Sequence, residues 1–195
     1  MLTLAFSFAL SCAGTVVSVP SLEEMAVASE VIADVTVVDQ HVVKEEGRVL
    51  TYTTLEVGAA VKGTKKGDRL RLFQLGGDLD GRSAWIVGAH KFSAGERVIF
   101  FGMRHPTKGG DVVIPYGIGF GLFRVIPSDG RAGEEVVEAV GDVVDVKGGV
   151  PQVRRYDSVA AFEALVRRAL QAPVTPSMPT AKKLAPALPN DAGGR

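Results

Sequence analysis

Cysteine is almost missing from this chain of 195 residues. Cys12 stands alone, so no intramolecular disulfide can form and the fold must rest on its apolar core. Charge of one sign is missing as well, because 22 basic side chains balance 22 acidic ones. Without a net field, non-specific binding to nucleic acid or to an anionic membrane surface loses its main driving force. Histidine occurs three times, at His41, His90 and His105, and none has a metal-ligand spacing to another His, Cys or carboxylate. There is no Gly-x-Ser-x-Gly elbow for a nucleophilic serine. What is abundant is glycine, 23 residues, together with recurring valine-rich stretches. That balance suits short strands joined by tight turns, and 46% hydrophobic residues suffice for one packed domain.

The first thirteen residues, Met1 to Ala13, carry no charge and run from an apolar core into small side chains, the pattern of an export signal. The segment is too short to span a bilayer as a permanent helix. Two processing routes are open. Ser11 and Ala13 suit the −3 and −1 positions of a signal-peptidase cut that would free Gly14, whereas Ala9-Leu10-Ser11-Cys12 reads as a degenerate lipobox that would lipidate Cys12. A third reading makes the segment a buried strand or helix. Either processing route places the protein outside the cytoplasm, with the membrane reached only through a lipid on Cys12.

Ser21-Leu22-Glu23-Glu24 has the spacing of a capping box and predicts a short helix to about Ser29. Val31–Val43 and Val49–Val61 alternate apolar and polar residues and predict a hairpin turning at Lys44–Gly47. Arg69–Leu75 predicts a third strand, which the glycines of Gly76–Gly81 should break. Shorter strands are expected near Ala84–Val87, Asp111–Ile114 and Gly119–Ile126, with the apolar run Arg97–Met103 as a central strand buried on both faces. Glu134–Asp145 suggests a short hairpin. After Asp157-Ser158, Val159, Phe162, Leu165, Val166 and Leu170 recur at helical spacing and predict a C-terminal helix. Half of the prolines fall beyond Ala172, where large apolar residues are scarce, so residues 172–195 read as a flexible tail. The single domain then spans residues 21–171. Its class is mainly β: a small antiparallel, partly closed barrel of the oligonucleotide/oligosaccharide-binding (OB-like) type, with a short N-terminal and a C-terminal helix. Trp85, Phe73, Phe100, Phe101, Phe120 and Phe123 are its expected aromatic core.

Asp78 and Asp80 alternate as calcium ligands do, but the further oxygen donors and closing glutamate of such a loop are missing. Gly117-Ile118-Gly119-Phe120-Gly121 leads into an apolar strand rather than a helix N-terminus, so it reads as a sharp bend and not a phosphate cradle.

Three stretches, Ala28–Val35, Val57–Gly63 and Gly95–Gly102, together with their spacing, resemble the netrin-like modules found in tissue inhibitors of metalloproteinases and complement C-terminal domains, and bacterial secreted proteins of similar outline. The resemblance implies a barrel over roughly Ser21 to Ile126. In the inhibitors an N-terminal cysteine chelates the protease zinc through its amine and carbonyl. Here only Cys12 could match, and lipidation would block its amine while cleavage after Ala13 would remove it. The resemblance therefore implies the barrel far more than it implies inhibition.

The leading expectation is an exported, non-catalytic module that binds a protein or small ligand, uses no cofactor and binds no nucleic acid. Loops on a rigid barrel carry recognition more often than its walls, which selects Gly76–Arg82 and Met103–Gly110, and within or beside them Arg82, Trp85, Arg104 and His105. The alternative is a small extracytoplasmic hydrolase drawing on Asp78, Asp80, His90 or His105, which requires at least two of them within hydrogen-bond reach. Oligonucleotide binding would need a positive groove lined by stacking aromatics.

Overall fold

The computed structural model describes residues 19–107, 109–129, 133–139, 145–147 and 150–172, with the backbone alone for 145–147 and 150–152. The export segment with Cys12 and the chain beyond Ala172 lie outside the described residues. Helix α1 (Leu22–Ala28) opens on the predicted capping box: Ser21 Oγ accepts from the Glu24 N–H at 3.1 Å and Glu24 accepts from the Ser21 N–H at 2.8 Å. Strands β1 (Val31–Glu45) and β2 (Arg48–Lys62) form the long hairpin, turning on Glu46 and Gly47, both at positive φ. There follow β3 (Arg69–Leu79), β4 (Arg82–Trp85), β5 (Arg97–Thr107), β6 (Gly110–Pro115), β7 (Leu122–Pro127), β8 (Glu134–Glu138), β9 (Asp145–Lys147), β10 (Val150–Gln152), β11 (Arg155–Tyr156) and α2 (Val159–Gln171).

The sheet closes on itself. β1 pairs β2, β2 pairs β3, β3 meets β6, β6 pairs β5, and β5 returns to β1, making a partly closed, OB-like ring of five strands. Register shifts in β1 between Ile32 and Ala33, Asp34 and Val35, and Val37 and Asp39 supply the curvature that closure demands. The ring interior holds Val31, Val35, Leu55, Leu72, Val98, Phe100 and Val113. Outside it, α1 and α2 cover the other face of β1, β5 and β7 with Met25, Ile32, Phe101, Phe123, Phe162 and Val166. β5 is therefore buried on both faces from Val98 to Gly102, as its sequence predicts, and then runs on exposed to Pro106.

Several expectations need correction. Gly76 and Gly77 do not end β3; with φ of 97° and 153° they bend it, and the strand continues to Leu79 against β4, turning only at Asp80 and Gly81. Met103–Gly110 is not a loop but the tip of the β5–β6 hairpin. Glu134–Asp145 is not a hairpin, since β8 pairs with β7 and β11 while β9 pairs with β10. In α2 the buried face is Phe162, Val166 and Ala169, and Leu165 is exposed. Of the six aromatic residues expected in the core, Phe100, Phe101 and Phe123 are buried, whereas Phe73, Phe120 and Trp85 are half-buried.

Candidate functional site

The weakest closure of the ring creates its most distinctive surface. β3 and β6 are parallel and meet at one pair, Leu72 opposite Val113, and β3 is next taken up by β4 only from Gly76. Between those points Phe73, Gln74 and Leu75 are paired to β2 alone among the described residues. The opening becomes a groove of about 460 Å³. Its walls are Phe73 to Leu75 of β3, Ile86 and Ala89 after β4, Met103 of β5, Ile114 and Pro115 of β6, and Tyr116 to Ile118 beyond it.

Glycines hold the last wall in place. Gly117 has φ 58°, and a Cβ on Gly119 would stand 2.3 Å from the Gly88 carbonyl oxygen, so the bend rests directly on the turn after β4. This is the sharp bend that the glycine-rich run predicts. No lining residue is charged, and Leu75, Ile86, Met103 and Ile118 are each 40 to 53% exposed. Scattered exposed apolar residues are ordinary, but four around one concavity single it out as the candidate site. The one buried polar side chain in the wall is Gln74. Its Nε2 donates to the His90 carbonyl at 3.0 Å, and its Oε1 has no partner.

The residues singled out by sequence do not converge. Arg82 and Trp85 lie at the two ends of β4, with Trp85 Nε1 donating to Asp78 Oδ1 at 3.1 Å and Lys91 Nζ 5.2 Å from its ring centroid. Hydrogen bonds from the Ser83 and Trp85 side chains lower the Asp78 carboxyl below its ordinary value. Arg104 and His105 lie on β5. Arg104 is a framework residue: its guanidinium donates to the Gly63 carbonyl at 2.6 Å and its backbone N–H to Glu30 Oε2 at 2.6 Å. Trp85 directly precedes Ile86 and Arg104 directly follows Met103, but neither lines the groove.

The proposed hydrolytic residues are also apart. His90 Nε2 is 2.9 Å from Glu96 Oε1, and no hydrogen bond joins any two of Asp78, Asp80, His90 and His105 among the described residues. Burial raises the Glu96 carboxyl, but bonding to His90 and to the Ser93 N–H, with Arg124 nearby, brings it below its ordinary value. No group of three or more His, Cys, Asp or Glu gathers as a metal site among the described residues. A separate polar hollow is lined by Ser128, Glu134, Glu135 and Asp157, but Arg97 already pairs Glu134 and Arg155 pairs Glu135.

The groove itself was missed because it belongs to no segment. The alternation of β3 sets Leu70, Leu72 and Gln74 on one side, but the splayed seam that exposes Phe73 and Leu75 follows from closure of the ring. The stretches that suggested a netrin-like module prove to be framework: Lys62 caps α1 through the Ala26 and Val27 carbonyls, Gly63 admits the Glu30 carbonyl, and Arg97 grips Asp34. No protein family matches the chain, and neither the curated proteins nor the solved structures contain a significant match to it.

Proposed function

We propose that this protein is an exported, non-catalytic binding module whose ligand is a small, largely apolar molecule held in the groove between β3 and β6. The observation that carries this reading is a concavity of about 460 Å³ with an uncharged wall and several exposed apolar side chains. That size lies within the range of sites that enclose small ligands. Export rests on the apolar leader, and Cys12 or Gly14 is the mature N-terminus according to which processing route is used.

The direct test is titration with phenylnaphthylamine, a neutral probe that fluoresces in apolar sites. Trp85 is the only tryptophan and precedes Ile86, so its emission gives a second readout. Saturable binding to the native chain is expected, with loss of at least about tenfold in Ile118→Glu and Met103→Glu, because each places a charge in the wall. Both side chains are already 41 to 53% exposed, so the variants should keep the native unfolding midpoint. No saturable binding, or equal binding by the folded variants, overturns the reading. Intact mass of the protein from its own host tests export: an unprocessed Met1 contradicts it.

A further inference from the structure

We infer that the groove's ligand is a single-chain zwitterionic amphiphile, its tail in the groove and its head in the concavity next to it; the inference rests on the function proposed above. That second concavity, about 310 Å³, lies between the tips of the β1–β2 and β5–β6 hairpins and shares Phe73 and Leu75 with the groove. The two surfaces thus meet over a common apolar floor. Their chemistry differs sharply: the groove has no charged side chain, whereas Glu45, Glu46, Arg48 and Arg71 line the second concavity.

No ion pair joins any two of these four charges among the described residues. Glu45 and Arg48 are register partners across the turn, yet neither they, Glu46 nor Arg71 forms an ion pair among the described residues. Arg71 is held ready, its Cζ 3.9 Å from the centroid of the Tyr52 ring and its Nη1 donating to the Gly109 carbonyl at 3.4 Å. Tyr52 in turn stacks on His41 at 5.5 Å. A guanidinium held over an aromatic ring keeps the N–H groups not already engaged, here those other than the one on Gly109, available for a phosphate or carboxylate. A purely anionic head would gain Arg48 and Arg71 but face Glu45 and Glu46, and a purely cationic head would meet the reverse. A head with an anionic and an ammonium group complements both pairs, while the uncharged groove takes the hydrocarbon.

The experiment displaces phenylnaphthylamine from the full chain with dodecylphosphocholine, dodecanol, dodecanoate and dodecyltrimethylammonium, each below its micelle concentration. Dodecylphosphocholine is expected to bind about five- to tenfold tighter than the other three, the scale of two partly exposed charge contacts. Arg71→Gln and Arg48→Gln should each remove most of that preference, whereas Arg167→Gln on α2 should preserve it. Arg48 is exposed at the hairpin tip, so its variant remains informative if Arg71→Gln fails to fold. Equal affinity for all four heads, or a preference for dodecanoate, overturns the head site while leaving the groove reading intact. Failure of the native chain to bind the probe or any amphiphile overturns both, and leaves a partner protein as the occupant to seek.

Discussion

Arg97 in β5 holds Asp34 in β1 through three hydrogen bonds of 2.6, 2.9 and 3.1 Å, across the pairing that closes the ring. The Asp34 side chain is only 5% exposed, and the outer edge of Arg97 also reaches Glu134 at 2.6 Å. The two contacts differ in worth because solvent screens only the outer one. Replacing Arg97 with Leu leaves a buried carboxylate without its cation and should cost about 3 kcal/mol in urea unfolding. Glu134→Gln should cost less than about 1 kcal/mol. The double variant Asp34→Leu/Arg97→Leu should recover most of the loss, since no buried charge is then stranded. If Arg97→Leu and Glu134→Gln cost the same, the buried contact is not what fastens β1 to β5.

Glu96 makes stability depend on acid in a defined direction. Its carboxyl titrates below the usual 4.5 in the folded chain because bonding to His90 and Ser93 outweighs burial. A carboxylate with a depressed folded value binds protons more readily when unfolded, so its contribution is full above 4.5 and fades as pH falls through the lower folded value. Glu96→Gln should therefore flatten the fall of unfolding free energy below about pH 5 relative to the native chain. Chemical denaturation across that range reads the slope directly, and parallel slopes contradict the assignment.

What was legible in the sequence was local. The capping box needs only Ser21 and Glu24, and the β1–β2 hairpin needs alternation interrupted at Glu46-Gly47, so both could be read from adjacent residues. The Asp34–Arg97 pair spans 63 positions and announces itself nowhere along the chain. Gly76-Gly77 was misread for a related reason: paired glycines ordinarily signal a turn, but here β4 supplies a partner that lets a bent strand continue. In α2 the helical period allows Leu165 and Ala169 alike. Only the position of α1 and the strands that α2 packs against selects Ala169 for burial and leaves Leu165 outside.

The start of α1 offers a compact check on its capping geometry. Ser21→Ala removes the acceptor of the Glu24 N–H while leaving the backbone path unchanged. A loss of about 1 kcal/mol is expected from thermal or urea unfolding. Ser21→Asp should restore most of it, since a carboxylate accepts the same bond and favours the positive end of the helix. An unaltered midpoint in Ser21→Ala would mean that α1 owes its place to the packing of Leu22, Met25 and Ala26 and to the Lys62 contact rather than to its N-terminal cap.

Two glycines in one turn separate backbone strain from close contact. Gly63 and Gly67 have φ of 69° and 85°, a region that disfavours any other residue, and both lie between β2 and β3. Around Gly67 nothing lies within 4 Å of an added Cβ, so Gly67→Ala should cost only the conformational penalty, about 1 kcal/mol. At Gly63 the same Cβ would stand 1.9 Å from the Glu30 carbonyl oxygen. That approach cannot relax cheaply, because Lys62 is tied to the end of α1 at 3.0 and 3.2 Å and Arg104 donates to the Gly63 carbonyl at 2.6 Å. Gly63→Ala should therefore cost at least about 2 kcal/mol more than Gly67→Ala, the scale of an overpacked contact. Lys62→Met in the Gly63→Ala background should then cost less than in the native chain, because the displaced segment has already lost its cap. Equal costs at the two glycines would show that the approach of Glu30 to this turn does not hold α1 against the ring.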